Sequence, residues 1–264
     1  WQIAPAQVSY AGGALHVQGL DLASAERRVS VSGALTPRPE DHLNVALKKI
    51  NLRYILSAIG VGFDLVDTEL TGQGQARLLA GKVLASAAVT SPSLFVKGVD
   101  AGHLQADLNF DSGDGRILLS AKVDQPQGGH ADVSGYIRPA NGAGIDLHFD
   151  ADTLQAGFVA PFMDTLFDRV DGRATGQVRL FGVFEEGVTI EGDADVTDGI
   201  IGVRLLGTSY RFSRRLSFTP TSIRFDKIPV MDDEGHQGVL DGVIRHRFFD
   251  QFDLDITASE LRGM

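Results

Sequence analysis

The chain has 264 residues, 43% of them apolar, which is enough for one large or two ordinary domains and excludes a disordered tail. Its 31 glycines follow no period of three and its prolines number only 9, so it is neither collagen-like nor a Pro-rich linker. A net charge of −10 repels phosphate backbones and anionic head groups at long range, which argues against nucleic acid, and the lack of cysteine removes disulfides, thiolate zinc sites and Cys nucleophiles.

Read from the N-terminus, apolar and polar residues alternate with period two, the mark of half-buried strands. After the turn signal at 11–13 comes a strand with a central glycine, Val31-Ser32-Gly33-Ala34-Leu35, then an alternating strand carrying Leu43, Val45 and Leu47. Residues 50–60 switch to three- and four-residue spacing and predict a short amphipathic helix stopped by Gly60. Residues 83–96 form a fourteen-residue stretch free of Asp, Glu, Lys and Arg, short of the roughly twenty apolar residues that a membrane-spanning helix needs. Turn clusters at 111–115, 127–129 and 141–144 space further strands, among them Val133-Ser134-Gly135 and the alternating Ile145, Leu147 and Phe149. A second short helix is predicted over 153–163, interrupted by Pro161. Beyond it come Val178 and Leu180, the strand around Leu240-Asp241-Gly242, and a last alternating strand with Phe252, Leu254 and Ile256.

These elements repeat. At an offset of 104, Leu43, Val45 and Ile50 fall on Leu147, Phe149 and Leu154, Val66-Asp67 on Val170-Asp171, and Thr71-Gly72-Gln73 on the identical Thr175-Gly176-Gln177. An offset of 107 maps Asp146-Leu147 onto Asp253-Leu254 and Leu154 onto Leu261. The expectation is one continuous unit: a first repeat over 1–130, then a second repeat and the start of a third over 131–264. Glycine inside a strand costs roughly 0.5–1 kcal/mol, so its recurrence points to sharp coiling. The predicted fold is all-β with two short helices, a long twisted antiparallel sheet curled into an open apolar groove. An ordinary sandwich or barrel with glycine corners is the alternative. The groove lining expected from the alternation is Leu43, Val45, Leu47, Ile145, Leu147, Phe149, Val178, Leu180, Phe252, Leu254 and Ile256, while Asp146, His148, Asp150, Asp253 and Asp255 face water. An exposed apolar strip needs an occupant, and phospholipid acyl chains fit, since returning about fifteen methylenes to water costs about 12 kcal/mol.

The stretches Val170-Asp171-Gly172-Arg173-Ala174-Thr175-Gly176-Gln177-Val178-Arg179-Leu180-Phe181-Gly182, Thr189-Ile190-Glu191-Gly192-Asp193-Ala194, Leu216-Ser217-Phe218-Thr219-Pro220, Ile223-Arg224-Phe225-Asp226 and Met231 to His246 resemble, in their order, the TamB family (translocation and assembly module) of the AsmA-like superfamily, in its Bacteroides-type form. The likeness covers residues 130–264 directly and the first half through the repeat. It implies an internal periplasmic fragment of an inner-membrane-anchored protein, a β-taco that carries phospholipid toward the outer membrane and supports outer-membrane protein assembly with an Omp85-family barrel. It implies no catalytic residue, cofactor or metal. An anchor or export signal is expected upstream of Trp1.

Other chemistry reads more weakly. Asp232, Asp233, Glu234, His236, Asp241 and His246 are the densest group of potential metal ligands, but Asp232-Asp233-Glu234-Gly235 has the composition of a hairpin turn. The pairs Asp193/Asp195 and Asp253/Asp255 each lie on one strand face, whereas a glycosidase draws its two acids from different elements. No Gly-x-Ser-x-Gly elbow or phosphate-cradling loop is present. Arg211, Arg214 and Arg215 read as an exposed turn, with a phosphate contact at the groove rim as the sharper alternative. The competing functions are a chaperone-like groove pairing its edges with unfolded outer-membrane strands, a polysaccharide-active β-solenoid enzyme, and an adhesin-like β domain.

Overall fold

The computed structural model describes residues 1–58, 66–139, 142–204, 207–248 and 251–259. Eighteen strands alternate with tight turns: β1 (Gln2–Ile3), β2 (Gln7–Ala11), β3 (Ala14–Ser24), β4 (Arg27–Leu35), β5 (Leu43–Asn51), β6 (Val66–Asp67), β7 (Glu69–Leu79), β8 (Lys82–Val96), β9 (Val99–Asp111), β10 (Arg116–Asp124), β11 (His130–Arg138), β12 (Gly144–Gln155), β13 (Phe167–Val183), β14 (Gly187–Val203), β15 (Thr208–Thr219), β16 (Ser222–Asp232), β17 (Gln237–Arg247) and β18 (Gln251–Ser259). Helix α1 (Leu52–Ala58) follows β5, and a 3₁₀ helix (Ala156–Phe162) follows β12. Two-residue loops with left-handed backbone, such as Ala80-Gly81 (φ 49° and 78°) and Lys97-Gly98 (φ 45° and 84°), close the hairpins in the geometry that matches strand twist.

Apart from the short β1 and β6, each strand pairs antiparallel with the next in the chain, giving one meandering sheet that does not close. The short β1 lies beside β2 against β3, and β6 lies beside β7 against β8. Strands β2 and β18 form the two ends, with no further strand partner among the described residues. The accessible surface is 15072 Å², whereas a compact protein of 28.2 kDa exposes about 11,000 Å². That excess is what an unclosed sheet requires, and it rules out the sandwich or barrel.

The curl has two sources. Gly135 lies inside β11 with φ 144°, and a Cβ there would run into the carbonyl oxygen of Asp146 on β12. Gly33 and Gly242 repeat the arrangement against the carbonyls of His42 and Asp255, so the Val-Ser-Gly recurrence marks places where one strand is pressed onto the next. The second source is a line of β-bulges. Lys49 (φ 51°) on β5 and Thr153 (φ 51°) on β12 sit at register shifts between Leu47 and Ile50 and between Ala151 and Leu154, and the Lys49 and Thr153 N–H groups donate to the Thr71 and Thr175 hydroxyls at 3.1 and 2.9 Å. The bulges, their acceptors and the helices that follow all recur at the 104-residue offset. The identical Thr-Gly-Gln triplets thus have a structural role.

The helices differ in detail from expectation. Ile50 and Asn51 belong to β5, the helix begins at Leu52, and Ile59 and Gly60 lie outside the described residues. The second helix is 3₁₀ in character and contains Pro161, whose ring cannot donate to an α-helical ladder. The 107-residue offset holds from Gly135 to Gly242, but Gly135 faces Leu147 and Gly242 faces Ile256, so Ile256 occupies the place expected for Leu254. That slip of two residues keeps the same face inward. Leu261 lies outside the described residues.

Replacing Gly135 with Val is expected to cost about 2–3 kcal/mol, read as a lower urea midpoint, because a branched side chain meets both a left-handed backbone and a neighbouring carbonyl. Thr175→Val, which removes only the acceptor of the Thr153 N–H, should cost about 1 kcal/mol.

Candidate functional site

The ladder register decides which side chains share a face. Val45 pairs with Gly74, which pairs with Ala87, then Leu108, Leu119, Gly135, Leu147, Leu180 and Ile190 in unbroken succession from β5 to β14. A parallel row runs from Leu47 through Gly72, Val89, Ala106, Ala121, Val133, Phe149, Val178, Gly192, Phe218, Ile223 and Ile244 to Leu254. Leu43 and Ile145 stand one step along the same strand faces, as do Phe252 and Ile256 on β18. All eleven residues expected to line a groove therefore lie on one face.

That face is apolar but not sealed. Ile145 and Leu147 are buried, Leu43, Val45, Leu47, Phe149, Val178, Leu180 and Phe252 are half-buried, and Leu254 and Ile256 are 49% and 36% exposed. Two clusters anchor it. One centres on Val89, Ala121, Val133 and Leu147, the other on Phe212, Phe225, Ile228 and Ile244. The small residues of β8 to β11 were missed by sequence reading because alanine-rich strands give a weak alternation signal, and most of the second cluster was missed because register shifts between Val196 and Gly199 and between Phe225 and Ile228 interrupt the period of two. Helix α1 packs against the first cluster through Leu52 and Ile55. At the corresponding end of the second repeat, Lys97 reaches from the β8–β9 turn to the 3₁₀ helix, donating to the Pro161 carbonyl at 3.2 Å with its ammonium 4.5 Å from the Phe162 ring centre.

The opposite face carries charge. Arg179 donates to Asp146 at 2.7 and 2.8 Å and to Glu191 at 2.9 Å, which holds the Asp146 carboxyl below its ordinary range. Arg215 sits between Asp193 (3.3 Å) and Asp195 (3.6 Å), and Arg245 lies 3.6 Å from both Asp253 and Asp255. Each carboxylate pair thus straddles an arginine on the neighbouring strand. The β16–β17 connection is the expected hairpin turn: Asp232 accepts from the N–H groups of Glu234 (3.0 Å) and His236 (2.8 Å) and bonds the His236 ring (3.0 Å). Among the described residues no three His, Asp or Glu side chains converge into a metal-binding group. Arg211, Arg214 and Arg215 are in mid-strand on β15, not in a turn, since the alternation of Tyr210, Phe212, Leu216 and Phe218 continues through them.

His246 lies on the apolar side in register with Phe252, is 5% exposed, and has its pKa pushed down by burial. No described helix is long and apolar enough to cross a membrane. Comparison with protein-family models, curated proteins and solved structures finds no match to this chain.

Two histidines should shape stability with opposite sign. Because His246 resists protonation when folded, the unfolded chain binds more protons below the ordinary value of 6.5, and stability falls as pH drops below it. His130, whose pKa is raised by hydrogen bonds to Asp124 and then Asp132, adds stability that is present below 6.5 and lost as pH rises through its higher folded value. In urea titrations between pH 5 and 8, His246→Leu should gain relative to the parent toward acid, and His130→Asn should lose.

Proposed function

We propose that the chain is a non-enzymatic segment of a lipid conduit, its curled apolar face holding phospholipid acyl chains while their polar ends stay in water. The observation that carries this reading is the unbroken succession of apolar and glycine positions across the sheet, buried to half-buried along one face up to the exposed Leu254 and backed by ion pairs on the other. Such a strip saves a sliding chain about 0.8 kcal/mol for each methylene kept from water and interposes no polar step along the rows. A periplasmic setting, an inner-membrane anchor and an Omp85-family barrel as partner belong to the same proposal and rest on the resemblance to TamB proteins. A chaperone-like role is the second reading, supported by strands β2 and β18, whose outer edges have no strand partner among the described residues and can add a strand.

Photocrosslinking amino acids at Val45, Phe149 and Leu254 in the full-length protein, in its own cells, test the two. Lipid adducts at all three are expected for a conduit. Polypeptide adducts concentrated on β18, with none to lipid, would replace the conduit by the chaperone.

A further inference from the structure

We infer that Arg214 is a docking point for the phosphate of a lipid head group on the apolar face, a proposal that rests on the conduit reading. Four bulges share one construction: a bulge residue on one strand gives its N–H to a side chain on the next. The acceptors are Thr71, Thr175, Ser213 and Asp241, which take the N–H groups of Lys49, Thr153, Asp198 and Lys227. The residue after the acceptor turns to the apolar face. In three cases it is glycine, Gly72, Gly176 or Gly242, each pressed so closely on the next strand that a Cβ would strike its carbonyl. In the fourth it is Arg214.

Two consequences are visible. Arg214 pairs with the buried Val196 and stands between the buried Phe212 and the half-buried Leu216, so the alternation puts a cation on an apolar wall. It is exposed and has no ion-pair or hydrogen-bond partner among the described residues, whereas its neighbour Arg215, on the other face, is held by Asp193 and Asp195. The adjacent strand also cannot close in. The β15–β16 ladder breaks between Arg211↔Met231 and Ser217↔Arg224, with Arg214 near the middle of the break, level with Lys227 and Ile228. The wall parts where the cation stands.

The planar guanidinium offers paired N–H donors that match phosphate oxygens, and the apolar rows on either side take the chains attached to that phosphate. The negative charge of the whole chain acts against anions at long range, but is screened beyond about 8 Å at physiological salt, so contact chemistry governs docking. Inorganic phosphate carries the same anion and is the source to be distinguished.

The test incubates the chain with phosphatidylglycerol or with diacylglycerol of the same acyl chains and measures retained lipid by native mass spectrometry. Wild type should retain the phosphate-bearing lipid about tenfold better, the size of one charge-assisted contact. Arg214→Gly, the residue at the three sister positions, and Arg214→Glu should bring phosphatidylglycerol down to the diacylglycerol level and leave diacylglycerol unchanged. Arg224→Glu, on the opposite face, should change neither; an equal loss there would mean bulk charge and overturn docking. Equal retention of both lipids, untouched by either Arg214 variant, overturns docking while the conduit stands. Retention of neither lipid overturns the conduit and docking together. Protection of Arg214 from an arginine-directed dicarbonyl reagent by inorganic phosphate, and not by phosphatidylglycerol, assigns the site to free phosphate and overturns head-group docking.

Discussion

Everything in this molecule depends on register. A strand's side chains alternate with a period of two, so a slip of one residue anywhere would turn that strand's apolar set to the charged face. The ladder from Val45 to Ile190 contains no such slip, and the bulges at Lys49 and Thr153 each skip the extra residue so that Ile50 and Leu154 return to the inner side. The charged face fastens the same alignment, since Arg179 reaches Asp146 on one neighbouring strand and Glu191 on the other only when β12, β13 and β14 are in step. Exposed pairs of this kind contribute little energy singly, but a wrong register would lose them and expose the apolar rows at once.

Register alone would give a flat ribbon. Glycine at Gly135 and its counterparts lets a strand approach the next one's carbonyl, and the bulges add local twist, so the sheet bends toward its apolar side. The bend shields that side without sealing it. The gradient from the buried Leu147 to the half-exposed Leu254 follows from this, because inner strands have neighbours on both sides and β18 has one among the described residues.

Much of this was legible in the sequence, for a definite reason. Alternation in Leu43, Val45 and Leu47 or in Ile145, Leu147 and Phe149 reports face directly, and repeated Val-Ser-Gly and Thr-Gly-Gln triplets report recurring backbone geometry. What was not legible depends on contacts between strands. Ala106 and Ala121 look unremarkable in the chain and become core only once paired. The three arginines of β15 look like a turn because their polarity outweighs the spacing of Phe212 and Leu216 around them, and nothing local shows that Arg214 occupies a glycine's place. The two-residue offset of Ile256 arises because Gly242 and Ile256 lie 14 residues apart where Gly135 and Leu147 lie 12 apart, which only the ladder reveals.

The meander also converts sequence length into distance. Since each strand bonds only to its neighbours, every added rung extends the sheet by roughly 4.8 Å along its contour. The six steps from β5 to β12 that make up one repeat therefore advance it by roughly 30 Å, at an unchanged cross-section. Reach is set by how many times the unit has been duplicated, as with the marks on a ruler, and gene-level gain or loss of a single unit would lengthen or shorten the span in fixed increments without redesigning the wall.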